Sequence, residues 1–218
     1  MMDLSIGLGL NNPGQIMAGA VLGGPALTLL VYDTFTDTNG TSLDAHTPEI
    51  APGLWTEQLG QWEIQSNGAQ LATIAGDNQH IATIDPGAAD VTIETSITQR
   101  IGLMDIGIIA NYQDQNNHWL CLWRADGDVA SILQRTAGVY TDRGSVATAP
   151  EPGVGSSGTI KVVTSGDTIT LFINGVQKVT YTTSGRALKT QTRCGIRDYT
   201  TGGAPPRGAT FNDFSVRL

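Results

Sequence analysis

The chain is short of cysteine, short of charge, and without a basic residue in its first 99 positions. Only Cys121 and Cys194 are present. Two thiols do not make a disulfide framework, and such sparing use fits folding in a reducing cytoplasm, although a single bridge is compatible with the count. The first 99 residues carry eleven Asp and Glu but no Lys or Arg, and the whole chain has a net charge of −8. Nucleic acid is therefore not an expected partner, because its affinity depends on phosphates neutralised by basic side chains. The acidity points first to a surface kept from associating, and second to a cation or sugar site.

Long apolar runs are also missing. The uncharged stretch from Leu4 to Tyr32 is broken by "NNPG" at 11–14 and by Gly19, Gly23, Gly24 and Pro25, and no basic residues flank it. It suits neither a membrane span nor a signal peptide, since Asp3 stands where a positive n-region belongs. The expectation is an extended N-terminal anchoring arm, residues 1–27, ahead of a domain at 28–218. Its spaced apolar residues Leu4, Ile6, Leu8, Leu10, Ile16, Met17, Val21 and Leu22 suit docking on a neighbouring subunit, so a homo-oligomer is expected.

What the chain does have is glycine and short runs of Val, Ile and Thr, a composition for strands and tight turns. At 218 residues it can bury about 70% of its unfolded surface in one core. In "VTIETSITQR", Val91, Ile93, Thr95 and Ile97 alternate with Thr92, Glu94, Ser96 and Thr98, the pattern of a half-buried strand. "DIGIIANY", "HWLCLWR" and "VASILQRT" follow, then "TIKVVTS", "TITLFIN" and "VQKVTYTT", the last pair joined by Asn174-Gly175. "TRCGIRDY" and "ATFNDFSVRL" complete roughly a dozen strands, with no convincing amphipathic helix and no internal repeat. The predicted fold is an all-β sandwich.

From Asp33 onward the chain resembles concanavalin A-like jelly-roll domains related to laminin G modules. The resemblance rests on Asp33, Phe35, Gly40, Thr41, Leu43, His46, Thr47, Pro48 and Trp55 at the start, and on Ala209, Phe211, Asp213, Phe214 and Val216 at the end. The paired strands of "GIIANYQDQNNHWLCLWR" and "GTIKVVTSGDTITLFINGVQ" lie between. It implies a jelly-roll β-sandwich and leaves function open, because this fold hosts lectins, hydrolases, adhesion modules and virion proteins. The Gly-rich opening "LSIGLGLNNPGQIMAGA" is similar in style to arms on tailed-bacteriophage virion proteins. That resemblance implies a non-enzymatic virion structural protein, partnered by capsid or tail subunits and assembled in the host cytoplasm; a glycan-binding adhesion module is the alternative.

No catalytic residue is expected. Glycoside hydrolysis needs two carboxylates across a cleft, and no Glu is followed by Asp two residues on. "GVGSSG" at 153–158 lacks the strand and helix that a phosphate-binding loop requires, and His46, His80 and His118 have no zinc spacing. A structural calcium has two candidate sites: Asp114 with Asn116 and Asn117 in one turn, or Asp33 with Asp213 on the terminal strands. In "HWLCLWR", Trp119, Cys121 and Trp123 share one face while His118, Leu120, Leu122 and Arg124 share the other. The tryptophans either fill the core, the favoured reading, or stack sugars with help from Asn116, Asn117 and Arg124. Trp55 and Trp62 are expected to be packing anchors.

Overall fold

The computed structural model describes residues 28–73, 79–101, 105–124, 128–147, 153, 155–199 and 208–218. The expected arm and its eight apolar residues lie outside these. Fifteen strands, numbered in chain order, form two antiparallel sheets among the described residues. The eight-stranded sheet runs β13 (Val176–Thr182), β12 (Thr168–Ile173), β11 (Ser157–Ser165), β6 (Thr92–Ile101), β15 (Gly208–Arg217), β4 (Ala69–Thr73), β3 (Gln61–Ile64). β1 (Leu29–Asp33) also pairs with β15, beside β4. The seven-stranded sheet runs β10 (Val139–Ala147), β9 (Val129–Thr136), β8 (Asn117–Arg124), β7 (Asp105–Asp114), β14 (Arg193–Tyr199), β5 (Gln79–Ile84), β2 (Thr56–Leu59).

Period-two alternation assigns the inner faces. Val91, Ile93, Thr95 and Ile97 are all buried, as the pattern along this segment predicts, while the intervening residues are half-buried. Between the sheets, Trp55 meets Phe214 edge-on at 4.9 Å and Trp62 meets Phe211 at 5.9 Å, so both tryptophans anchor the core. Each such pair adds about 0.5–1.5 kcal/mol beyond its burial. The sheets approach closely where β11 carries Gly158: a Cβ there would lie 2.8 Å from the Trp123 ring. Arg186, itself buried, caps one end by donating to the Gly166 carbonyl (3.2 Å) and to Asn111 Oδ1 (2.8 Å).

The turn at Asn174-Gly175 has φ of 50° and 75°, the left-handed pair that a two-residue hairpin demands. Three strands are not legible as alternating runs: β2, β5 and β10. In β10 a register shift between Asp142 and Gly144 breaks the alternation. β5 is apolar on both faces, with Ile81 outward and Ala82 and Ile84 inward.

Candidate functional site

The alternation along β8 decides where chemistry can occur. Trp119 (0% exposed) and Trp123 (2%) point into the core, and the Trp119 indole N–H donates to the Ala187 carbonyl at 2.8 Å. Neither offers an open face: the favoured reading, that the pair fills the core, is the one observed, and Trp119 and Trp123 are not available as the glycan contacts of the alternative. The other supporting candidates separate as well. Asn116 and Asn117 sit at one end of β8 and Arg124 at the other, about 23 Å apart at ~3.3 Å per residue.

The calcium candidates are likewise not assembled. Asp33 is fully buried and already accepts from the Phe35 N–H (2.6 Å), the Trp55 indole N–H (2.6 Å) and His46 Nε2 (2.9 Å). Asp213 adjoins Phe214, the cross-strand partner of Asp33, but it is exposed whereas Asp33 is buried, so the two carboxylates do not share one site. Asp114 is engaged locally, accepting from the Asn116 N–H at 2.7 Å and from the Asn117 side-chain amide at 3.0 Å. Such a turn satisfies its own backbone. Among the described residues no group of three His, Cys, Asp or Glu side chains is placed to hold a metal.

The outward face of the seven-stranded sheet is built differently. Leu120 and Leu122 of β8 lie there with Ile81 of β5 and Ile109 and Tyr112 of β7, a second apolar cluster separate from the core. Over the leucines is a hollow of about 380 Å³. Leu133 and Tyr140 border it on one side, Gln79, Arg197 and Tyr199 on the other, with Asp105 and Arg124 at one end. The strand order β10-β9-β8-β7-β14-β5 is what gathers side chains so distant in sequence.

Polar groups around this hollow are held in fixed positions. Arg197 is 5% exposed; its guanidinium lies 4.8 Å from the Tyr199 ring centroid and donates to the Asp105 carbonyl at 3.0 Å. Arg135 lies 5.0 Å over Tyr140 and donates to Gln79 Oε1 at 2.6 Å. Arg124 pairs with the Asp105 carboxylate at 3.5 Å. Tyr140 donates to Gln79 Oε1 at 2.8 Å, and its hydroxyl also faces His118 Nε2 at 3.1 Å. His118 stacks on Tyr112, and its Nδ1 faces the Asp114 carbonyl at 3.2 Å.

Burial pushes the His118 imidazole down to about 4, and the nearby Arg135 and Arg197 charges push the same way. The ring is therefore neutral at pH 7, with Nδ1–H facing the carbonyl. Burial also raises the Tyr112 phenol to about 12, so it stays a donor, and its hydroxyl gives a hydrogen bond to Gln58 Oε1 at 3.2 Å. Leu120 and Leu122 are buried beneath the hollow, and what it offers at its surface is Leu133, two half-buried tyrosine rings and several fixed donors and acceptors. It can bind a small amphipathic ligand.

Of the residues expected from sequence, only Arg124 borders this hollow. Gln79, Arg135, Tyr140, Arg197 and Tyr199 were not singled out. A signal existed in "IRDY", where Arg197 and Tyr199 stand two apart in a strand and so share a face.

No protein-family model matches the sequence, and no curated protein sequence matches it. Solved structures do. A carbohydrate-binding module, CBM66 from Bacillus subtilis, superposes with a TM-score of 0.57 at 16% identity, over 75% of this chain and 95% of that one. The fold is a concanavalin A-like jelly roll. The GH43 protein BlXynB from Bacillus licheniformis gives a TM-score of 0.60 at 13% identity, matching 85% of this chain but 39% of its own. The catalytic domain of an endo-1,3-beta-glucanase (laminarinase) from Thermotoga petrophila gives 0.56 at 8% identity, over 88% and 98%. At these identities the likeness concerns architecture, and the jelly-roll fold predicted from sequence is the one observed.

Proposed function

We propose that this protein is a carbohydrate-binding module that holds a saccharide on the outward face of its seven-stranded sheet. The observation carrying this reading is the 380 Å³ hollow, where half-buried Leu133, Tyr140 and Tyr199, lying over the buried Leu120 and Leu122, meet the polar ends of Gln79, Arg124 and Arg197. Sugars present apolar C–H faces ringed by hydroxyls, and this mixture of flat apolar surface with positioned donors and acceptors complements them. The architecture shared with CBM66 supports the reading. Binding without hydrolysis is favoured because Asp105 is the single carboxylate among the described residues that line the hollow, and it is paired with Arg124.

The test is titration of the full chain against a saccharide panel, alongside Tyr199→Ala. Binding that disappears in the variant while its melting temperature holds supports the assignment. A panel without a single binder, or binding indifferent to Tyr199→Ala, refutes it.

Placement of this module on a phage virion, anchored through residues 1–27 to capsid or tail subunits, is a separate proposal. It rests on the Gly-rich sequence of that segment, which is uncharged from Leu4 onward.

A further inference from the structure

The chain carries a net charge of −8, yet the hollow is bordered by basic groups. Arg124 and Arg197 line it, and Arg135 stands behind Tyr140 and Gln79. Among the lining residues two guanidiniums face one carboxylate, Asp105; with Arg135 added on one side and Asp198, which acts on Arg197 from the same strand, on the other, the balance is still positive by one. In a protein without a base in its first 99 residues, three arginines from β8, β9 and β14 meet on one face of one sheet.

Their bonding is incomplete in a particular way. Arg197 is 5% exposed and donates to the Asp105 carbonyl, and its Nε–H meets no acceptor among the described residues. Arg135 Nε is in the same condition. A buried guanidinium with donors to spare is costly unless an acceptor arrives, and the acceptor it suits best is a planar or forked anion. Arg124 is 42% exposed and Asp105 21%, so an incoming anion can reach Arg124 from solvent and compete with Asp105 for it.

We infer that the saccharide held in this hollow is anionic, bearing a carboxylate or sulfate that Arg197 and Arg124 grip while its ring lies against Tyr199 and Leu133. This rests on the saccharide-binding reading above and specifies its ligand class. The overall negative charge of the chain adds selectivity, since an anion is attracted at this face and repelled elsewhere.

The test compares an oligogalacturonide, its methyl ester, a sulfated galactan oligosaccharide and a neutral galactan oligosaccharide by calorimetry on the full chain. The expectation is that one or both anionic probes bind at least tenfold more tightly than the ester and the neutral sugar, more weakly as NaCl rises. The two anionic probes distinguish carboxylate from sulfate. Arg124→Gln, at a half-exposed position, should weaken anionic binding about tenfold. Arg197→Gln should do so more strongly, but it alters a buried site and is read only if the protein stays folded. Asp105→Asn removes the opposing charge and should tighten anionic binding while leaving neutral sugars unchanged, a gain that a structural role would not produce. If the neutral sugar and the ester bind as tightly as the acids, the anionic inference fails while the saccharide reading stands. If no probe binds, both fail.

Discussion

His46 Nε2 lies 2.9 Å from Asp33 Oδ1, and the other ring nitrogen lies 3.0 Å from Asp37 Oδ2, so one imidazole bridges two carboxylates. The Asp33 carboxylate is wholly buried and also receives the Trp55 indole and the Phe35 amide, which Phe35 presents from a left-handed backbone at φ 53°. Asp33→Ala leaves these donors without an acceptor in the core. It should cost about 3–5 kcal/mol, the usual scale for breaking a buried charged network. Urea denaturation followed by tryptophan fluorescence checks this, and a loss under 1 kcal/mol would mean that the network contributes little.

The two histidines pull stability in opposite directions with pH. For His46, burial opposes the charge, but the bonds from Asp37 and Asp33 outweigh it and the pKa is raised above its ordinary 6.5. Its contribution is full below 6.5 and fades as pH climbs through the raised value. His118 is depressed to about 4, so its contribution is full above 6.5 and is lost as pH falls from 6.5 towards 4, by up to about 3 kcal/mol. Denaturation midpoints between pH 4 and 9 should pass through a maximum near neutrality. His118→Gln should flatten the acid limb and His46→Gln the alkaline one; unchanged limbs would contradict the assignment.

Core and hollow should separate by mutation. Trp119→Ala and Trp123→Ala each remove an indole from the sandwich interior and should cost about 3–5 kcal/mol. Calorimetric melting should show this before any ligand is added. Tyr199→Ala, at a half-buried rim position, should lower stability by less than half as much. The reverse order would mean that the faces are wrongly assigned.

The arm proposal predicts association. The full chain should exceed monomer mass in light scattering, and a chain starting at Leu27 should be a folded monomer. Two monomers of equal stability would remove the argument for an assembly role.

Strand existence was readable because alternation is local: Val91 to Ile97 and the two faces of 118–124 follow from spacing alone. Alternation cannot say which strands become neighbours. Arg197 and Leu122 meet because β7 alone separates β8 from β14, a pairing set by the whole topology. β10 escaped notice because its bulge interrupts the period, and with it Tyr140 was missed. The aromatic residues that look most like a sugar platform, Trp119 and Trp123, are those most useful to the core, since a large indole fills the space between sheets.

β1 and β15 run side by side, and the Leu218 amide donates to the Thr28 carbonyl at 2.9 Å. The sandwich is thus fastened like a clasp, Thr28 and Leu218 meeting where β1 joins β15 inside the larger sheet. Any segment attached before Thr28 and any attached after Leu218 must leave from the same corner, so the fold can hang from a single stalk or be spliced into another protein's loop without stretching. A circular permutant with those ends linked by a few glycines, and reopened at the exposed turn around Gly166, should keep the two sheets intact.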